Sequence, residues 1–274
     1  MATITAADVN KLRQQTGAGM MDCRKALVES DGDFEKAVDY LRKKGQKVAA
    51  LRSDRETKEG VIIAKVAADG KSGVIVGLGC ETDFVAKNED FVKFAQSIVD
   101  LALAKGIKTI DELNAAELDG VTVADKVNDQ VAKIGEKISL NKFEFVEAGG
   151  VTAYIHGNYR MGVLVAFSKP VSEEVGKDVA MQIAAMNPIA VDADSVPADV
   201  IAREKEIAVE QVKAEGKPAE MAEKIAVGKV NKFFKESTLL AQAFVKDNNK
   251  SVADYLKSVD ADLKVSGFKR IALG

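Results

Sequence analysis

Histidine, cysteine and tryptophan are scarce in this sequence. Its 274 residues include one histidine, two cysteines, four prolines and no tryptophan. A single histidine excludes any site built from two of them, such as a His-based zinc triad, and leaves Ser–His–Asp chemistry one candidate base. Cys23 and Cys80 lie far apart and form no Cys-x-x-Cys pair. We therefore expect no disulfide framework and no cysteine-rich metal site, and we expect a reducing compartment.

The sequence also lacks a strong net charge and long apolar runs. Lys and Arg number 39 against 42 Asp and Glu, a formal net charge of −3, so direct binding of nucleic acid through a broad basic surface is not expected. No run approaches the roughly 18 apolar residues that indicate a membrane-spanning helix. The first residues have neither the basic nor the apolar region of a secretory signal. These absences predict a cytoplasmic protein that does not bind membranes.

What the sequence contains is the composition of a globular chain with several modules. Hydrophobic residues make up 47% and charged residues 30%, which is typical of a folded chain and not of a disordered one. The 274 residues exceed what one compact core usually holds, so two or three modules are expected.

Residues 1–46 have the pattern of three short helices. Thr5 is a candidate cap for the first helix, and Gly-Ala-Gly at 17–19 separates it from the second. The third helix is indicated by apolar residues at helical spacing, namely Phe34, Ala37, Val38 and Leu41. Gly45 is predicted to end this helix, and the polar run 47–58 is predicted to be a solvated linker.

An internal repeat occupies the middle of the chain. Residues 60–78 and 150–167 each contain a β-rich segment, a turn at Gly with Asp or Asn, and a second β-rich segment, which predicts a hairpin. A helical pattern follows each hairpin, and residues 106–140 between the two units are expected to be mostly helical. We predict an α+β fold with two related subdomains, 59–145 and 146–274.

Residues 197–236 predict a helical hairpin inserted in the second subdomain. Two charged helical patterns flank a turn at Gly216-Lys217-Pro218. The hairpin contains few large apolar residues, so we expect it to project from the body of the protein. A short helix and a final strand over 264–273 complete the chain.

Catalytic motifs are missing. No phosphate-binding loop, nucleophile elbow or His-Glu-x-x-His motif is present. Cys80 and His156 are the only candidates for a catalytic group, and neither has a visible second partner, so an enzyme is the least favoured hypothesis. We predict no catalytic residue, no metal ligand and no cofactor.

The segment 80–88 is unusual because it places an aromatic residue beside a carboxylate between a predicted strand and a predicted helix. Phe84 has two interpretations. It could pack under the following helix as a hydrophobic staple, or it could be an exposed apolar wedge that a partner buries, with Asp83 as the adjacent anion. The pattern alone gives the two equal weight.

Several motifs in collinear order resemble the bacterial translation elongation factor Ts family. They are TGAGMMDCRKAL at 16–27, TDFVAK at 82–87, AKIGE at 132–136, IHG at 155–157 with GVLV at 162–165, and GKP at 216–218 with AEK at 222–224. The resemblance covers nearly the whole chain. It implies an N-terminal ubiquitin-associated-like three-helix domain, a core of two related α+β subdomains and a protruding helical hairpin.

The resemblance also implies a function. Members of this family are guanine-nucleotide exchange factors that bind the GDP-bound form of elongation factor Tu and promote GDP release without catalysing a reaction themselves. The Mg²⁺ near which they act belongs to the partner. The hairpin 197–236 can mediate self-association in some relatives, so a homodimer is an open alternative here. Some relatives continue into a C-terminal helical module, and the contact it makes is not expected because this sequence ends at Gly274.

The resemblance assigns residues in three groups. The wedge that intrudes near the Mg²⁺ and nucleotide site consists of Thr82, Asp83, Phe84 and Val85. The contacts from the N-terminal module are Leu12, Arg13, Met20 and Met21, with burial in the bundle an equal alternative for Met21. The contacts from the core are Ile134, Gly135 and His156. A competing hypothesis is a ubiquitin-associated-type adaptor that binds its partner through residues 1–50 without affecting the nucleotide.

Overall fold

Helices and antiparallel strands alternate along the chain in the computed structural model, which describes residues 3–216 and 219–274. The helices are α1 (Ala6–Thr16), α2 (Met20–Glu29), α3 (Phe34–Leu51), α4 (Asp83–Ala86), α5 (Glu89–Lys105), α6 (Ile110–Ala115), α7 (Val123–Ile134), α8 (Glu173–Met186), α9 (Ala198–Ala214), α10 (Ala219–Ser237) and α11 (Val252–Val259). The strands are β1 (Glu59–Val66), β2 (Ser72–Cys80), β3 (Glu117–Leu118), β4 (Val121–Thr122), β5 (Ser139–Glu147), β6 (Gly150–His156), β7 (Met161–Phe167), β8 (Ala243–Phe244), β9 (Asp247–Ser251) and β10 (Val265–Ala272). The chain is therefore a mixed α and β protein.

The three predicted N-terminal helices are present and share a small core. Helix α1 begins at a capping box, in which the Asp8 N–H donates to Thr5 Oγ1 and the Thr5 N–H donates to the Asp8 carboxylate. It ends at Gly17, whose φ of +69° is the left-handed conformation that glycine adopts without strain. The buried side chains of this core are Val9, Leu12, Ala18, Cys23, Ala26, Leu27, Ala37 and Leu41.

Helix α3 does not end at Gly45, so that prediction and the start of the predicted linker at 47 are wrong. The helix continues to Leu51, and residues 52–58 connect it to β1. Gly45 is buried against α7: a Cβ atom there would lie 2.8 Å from the Ala132 Cβ and 3.0 Å from the Asn128 carbonyl oxygen. The glycine is needed because two helices approach closely, and that requirement is invisible in the local sequence.

Both predicted hairpins are present, and a third strand extends each of them. The sheet orders are β1-β2-β5 and β6-β7-β10, with every pair antiparallel. The final strand β10 was predicted. Strand β5 was not, because residues up to 140 were expected to be mostly helical and no element was assigned to 141–147.

The two sheets pack against each other through one face, and a helix covers the other face of each. Ile62, Ile75, Val151, Leu164 and Ile271 form the buried layer between the sheets. On the outer faces, α5 packs on β1 and β2 and α8 packs on β6 and β7. The period-2 alternation of strand side chains makes this possible, because successive residues point to the inner layer and to a helix.

Two glycines at equivalent repeat positions set the distance between the sheets. A Cβ on Gly73 would lie 2.9 Å from a Val151 methyl and 3.1 Å from a Leu164 methyl. A Cβ on Gly162 would lie 2.6 Å from the Ile75 Cδ1. Since Ile75 and Leu164 each stand two residues after the glycine of their own strand, each half supplies the side chain that fills the other half's gap.

The second half also contains the predicted helical hairpin, α9 and α10, and these helices pack mainly on each other. Ala208, Val212 and Ala226 are buried between them. The predicted turn residues Lys217 and Pro218 lie outside the described residues. None of the described helices is long and apolar enough to cross a membrane.

Candidate functional site

Phe84 lies on the surface and is not a staple under the following helix. Its side chain is 84% exposed, more than any other large apolar side chain in the described part of the chain. It is carried by α4, a single helical turn between the end of β2 and the start of α5. A large aromatic side chain held in water is typical of a contact surface. The structure thus supports the wedge interpretation of the sequence pattern.

The neighbours of Phe84 on α4 have two different roles, since two of them pack against the core and one carries a negative charge. Val85 and Ala86 are half-buried and pack against the core of the first sheet and α5. The Asp83 carboxylate forms an ion pair with Lys87, one helical turn later, at 2.6 Å. The hydrogen bond from Lys87 lowers the pKa of Asp83 below its ordinary value, so Asp83 is ionised at neutral pH. Helix α4 therefore presents an aromatic ring and an anion side by side.

A carboxylate from another part of the chain holds the start of α4. The Glu136 side chain accepts hydrogen bonds from the Thr82 hydroxyl at 2.6 Å and from the backbone N–H groups of Thr82 and Glu81, both at 3.1 Å. Residue 136 directly follows the turn that ends α7. The end of α7 and the start of α4 are thus joined by three hydrogen bonds to one side chain.

Glu81 forms a second set of bonds at the same place. Its carboxylate contacts the Arg52 guanidinium at 2.7 Å and that of Arg55 at 2.8 Å, and it accepts the Lys137 backbone N–H at 2.6 Å. Partial burial opposes ionisation of Glu81, but the bonds from Lys137, Arg55 and Arg52 outweigh it and lower the pKa to about 2. The segment after α3 is thereby tied to the residue that precedes Thr82.

The predicted core contacts Ile134 and Gly135 lie beside α4. Ile134 is half-buried and lines, with Phe84 and Lys133, a surface groove of about 200 Å³. Gly135 ends α7 with a φ of +80°, and a Cβ there would meet nothing within 4 Å. Glycine is required here by backbone conformation and not by lack of space.

His156 is the last residue of β6, next to the turn that joins β6 to β7. Its side chain is exposed, and its Nδ1 shares a hydrogen bond of 2.9 Å with the Tyr154 hydroxyl. Gly157 and Asn158 of the same turn line a small cleft together with Asp83. The turn is held in place because the Ile62 N–H donates to the carbonyl of residue 159. The structure thus places Ile134 next to Phe84 and the turn that follows His156 next to Asp83.

The enzyme hypothesis has no support from the two residues it relied on. The Cys80 thiol is fully buried and donates to the Thr82 carbonyl at 3.1 Å. Burial raises its pKa to about 12, so a nucleophilic thiolate is not available at neutral pH. His156 shares its hydrogen bond with a tyrosine hydroxyl and not with a carboxylate or a nucleophile. Within residues 3–216 and 219–274, no group of three His, Cys, Asp or Glu side chains could hold a metal ion.

Of the four contact residues predicted in the N-terminal module, three are exposed and one is buried. Arg13 is exposed, Met20 is 53% exposed and Met21 is 71% exposed, so the alternative in which Met21 is buried in the bundle is wrong. Leu12 is fully buried in the three-helix core. It is therefore a packing residue and not a contact, because at i, i+3 spacing it falls on the same inner face of α1 as Val9.

The N-terminal bundle reaches the same part of the molecule as the wedge. The turn between α1 and α2 lies against the end of α7, where a Cβ on Gly17 would be 2.9 Å from the Lys133 Cε. Helix α3 packs along α7 through Gly45. Sequence reasoning missed the bracing roles of Glu81 and Glu136. Both stand next to or within recognised motifs, but their bonds are made to residues between 26 and 56 positions away.

The chain is similar to known proteins that share one name. A family model described as Elongation factor TS matches residues 81–274. A protein named Elongation factor Ts from Flavobacterium psychrophilum is 56% identical over 276 aligned residues that cover 100% of both chains. Proteins of the same name from Christiangramia forsetii and Amoebophilus asiaticus are 52% and 54% identical, with coverage of 100% and 99% of both chains.

Proposed function

The chain belongs to the elongation factor Ts family, and on this premise we propose how it acts as the guanine-nucleotide exchange factor of elongation factor Tu. It works in the elongation phase of protein synthesis and promotes the release of GDP from its partner. The observation that carries the mechanism is Phe84, an aromatic ring 84% exposed on a connector whose first residues are held by the ion pair of Glu81 with Arg52 and the hydrogen bond of Thr82 with Glu136.

Phe84 and Asp83 form the part that intrudes near the Mg²⁺ and nucleotide site of the GDP-bound partner, with Thr82 and Val85 holding them. Burial of a phenylalanine side chain in a partner contributes about 1.5–3 kcal/mol. That free energy drives displacement of groups around the partner's Mg²⁺. Loss of the cation exposes phosphate charge, so GDP is bound less tightly.

The effect is reciprocal because it is a coupling free energy between two sites. If the exchange factor weakens the binding of GDP to the GTPase, GDP weakens the binding of the exchange factor by the same factor. Entry of GTP then favours dissociation of the exchange factor. This chain needs no catalytic residue, cofactor or metal for such a role, and the Mg²⁺ belongs to the partner.

Two further groups extend the contact surface on either side of the wedge. Arg13, Met20 and Met21 of the N-terminal module grip the partner's nucleotide-binding domain, and their exposure supports this role. Methionine side chains are flexible and make adaptable apolar contacts. Ile134, Gly135 and His156 form the contact next to Phe84. Leu12 supports the first group from the core and makes no contact itself.

The domain organisation that fits this role has a ubiquitin-associated-like domain at residues 1–46 and core subdomains at 59–145 and 146–274. Because α3 continues to Leu51, residues 47–51 are added to the N-terminal domain and the proposed linker is 52–58. We propose a cytoplasmic protein that binds neither nucleic acid nor membranes directly. A homodimer through the hairpin 197–236 remains a proposal, to be tested by the mass of the free protein in solution.

Release of labelled GDP from elongation factor Tu tests the exchange function. The wild-type protein is expected to accelerate release, with a rate that saturates as its concentration rises. A wild-type protein that binds the GTPase without accelerating release would contradict the proposal and would support the adaptor hypothesis. Residues 1–50 would then be expected to hold most of the affinity.

A further inference from the structure

We propose that Glu136 is a positioning residue for nucleotide exchange, because its carboxylate fixes α4 in the orientation that directs Phe84 at the partner. The proposal rests on the exchange function and deepens it. Glu136 itself is half-buried behind Thr82 and is argued to act through Phe84 alone.

Helix α4 cannot hold its own orientation. It has four residues, none of them buried, and its N-cap Thr82 makes no side-chain cap hydrogen bond. A single isolated turn is unstable in water because the nucleation of a helix is unfavourable. The contacts of Val85 and Ala86 with the core fix one side of the turn only. The direction of Phe84 must be set by something else.

Glu136 supplies the missing constraint. Two consecutive backbone N–H groups and one hydroxyl converge on its two carboxylate oxygens, at distances of 2.6–3.1 Å. Hydrogen bonds to a carboxylate are about twice as strong as neutral ones. Three bonds from adjacent atoms of the chain restrict rotation of the segment as well as its translation, so the Thr82 end of α4 is fixed in direction.

The position of Glu136 is itself determined by its neighbours in sequence. Gly135 turns the chain at the end of α7 with a φ of +80°, a conformation that other residues adopt only with strain. On the other side, the Lys137 N–H donates to Glu81 and the Lys137 Nζ donates to the carbonyls of Ser53 and Arg55. Glu136 therefore acts from a fixed base and does not move with α4.

The expected consequence is a change in the rate of exchange. Without the brace, α4 samples several orientations, and only a fraction of bound complexes have Phe84 inserted. The maximum rate of GDP release at saturating exchange factor then falls in proportion to that fraction. Contacts made by Arg13, Met20 and Met21 are independent of α4, so part of the affinity for the partner remains.

The test is the saturating rate of GDP release for Glu136→Ala, Glu136→Gln, Phe84→Ala and the double variant Glu136→Ala with Phe84→Ala. We expect Glu136→Ala to lower the rate about tenfold, and Glu136→Gln to restore about half of the loss on a logarithmic scale, since an amide oxygen still accepts the backbone N–H groups. In the Phe84→Ala background, Glu136→Ala should change the rate by less than about twofold, because the residue through which it acts is gone.

A matched control is Glu112→Ala on α6. The Glu112 carboxylate also accepts two backbone N–H groups, from Lys108 at 2.9 Å and from Thr109 at 3.2 Å, but at a capping box away from α4. It should leave the rate unchanged. Melting curves of all variants confirm that they are folded at the assay temperature, and Glu136→Gln takes the place of Glu136→Ala if the latter unfolds.

The possible outcomes test the positioning role of Glu136 separately from the exchange function. An active wild type with an equally active Glu136→Ala overturns the positioning role and leaves the exchange function intact. An equal loss from Glu136→Ala with and without Phe84 assigns Glu136 a general structural role and also overturns the proposal. A wild type that does not accelerate GDP release overturns the exchange function before any variant is compared.

Discussion

The two halves of the core share one construction, and they differ in the connector between the second strand and the covering helix. In each half a hairpin is extended by a third strand and one sheet face is covered by a helix. Between β7 and α8 the chain needs only residues 168–172, where Val171 packs into the core and Ser172 caps the helix. Between β2 and α5 it uses residues 81–88, forms the extra turn α4 and exposes Phe84.

The difference supports the proposal that the first connector makes the functional contact. A connector on the surface can change in length and composition without disturbing the sheet or the helix on either side of it. The first connector is longer and places its aromatic residue in water, whereas Val171 in the second is half-buried and packs against the core. The first is also held by the side chains of Glu81 and Glu136.

The largest expected effect is the difference in the rate of GDP release between Phe84→Ala and Val171→Ala. Phe84→Ala should lower the saturating rate of GDP release at least tenfold, corresponding to about 1.4 kcal/mol or more, and should leave the free energy of unfolding within about 0.5 kcal/mol of wild type. Val171→Ala should leave the rate of GDP release unchanged and should lower the free energy of unfolding, because it removes apolar surface packed against the core and no contact with the partner. GDP release and urea denaturation measure the two quantities.

A truncation elsewhere controls for the loss of exposed apolar surface in general. Val259, at the end of α11, is 45% exposed, and Val259→Ala should match wild type in GDP release. The comparison between the halves fails if Val171→Ala and Phe84→Ala slow release equally.

The next effect is the loss of stability on substitution of the two glycines that occupy equivalent positions in the two halves. Gly73→Ala and Gly162→Ala should each destabilise the protein by about 1–3 kcal/mol, because the added Cβ meets side chains of the opposite sheet and forces it away. Gly162→Ala should cost more, since its closest contact is 2.6 Å and that of Gly73 is 2.9 Å. Denaturant titration gives both values, and Gly267→Ala is a control because a Cβ there meets nothing within 4 Å.

The smallest effect concerns acid stability of the first connector. Because the pKa of Glu81 is lowered from 4.5 to about 2, its ion pairs contribute stability that is complete above about pH 5 and is lost as the pH falls towards 2. The difference in free energy of unfolding between wild type and Glu81→Gln should therefore shrink by roughly 1 kcal/mol between pH 6 and pH 3.5.

The second connector provides the comparison for this measurement. There Lys169 pairs with Asp260 at 2.5 Å, and both side chains are about 40% exposed, so the pair contributes little to stability. Asp260→Asn should differ from wild type by nearly the same small amount at both pH values. A pH dependence as large as that of Glu81→Gln would contradict the special role of the first connector.

Local signals in the sequence were sufficient for much of the fold. Both hairpins follow from their glycine turns, the amphipathic helices from their 3.6-residue periodicity, and the two charged helices from their pattern. Strand β5 was also within reach, because Phe143 and Phe145 alternate with Lys142 and Glu144 in the period of a strand. The first sheet is incomplete without it.

Other features could not be read locally because they depend on contacts distant in sequence. Gly45 has the context of a helix end and is instead a contact between α3 and α7. Leu12 was predicted in the same contact group as Arg13, Met20 and Met21, which are exposed, but it faces the core. The exposure of Phe84 was one of two balanced alternatives, and the hydrogen bond between Thr82 and Glu136 beside it crosses 54 positions of the chain.

The most direct test of the account is the maximum rate of GDP release from elongation factor Tu, measured with Phe84→Ala protein at concentrations that saturate the partner. We expect the variant to bind, to remain as stable as wild type, and to reach a maximum rate at least tenfold lower. A maximum rate equal to that of wild type would contradict this expectation, since the exposed ring would then have no part in expelling the nucleotide.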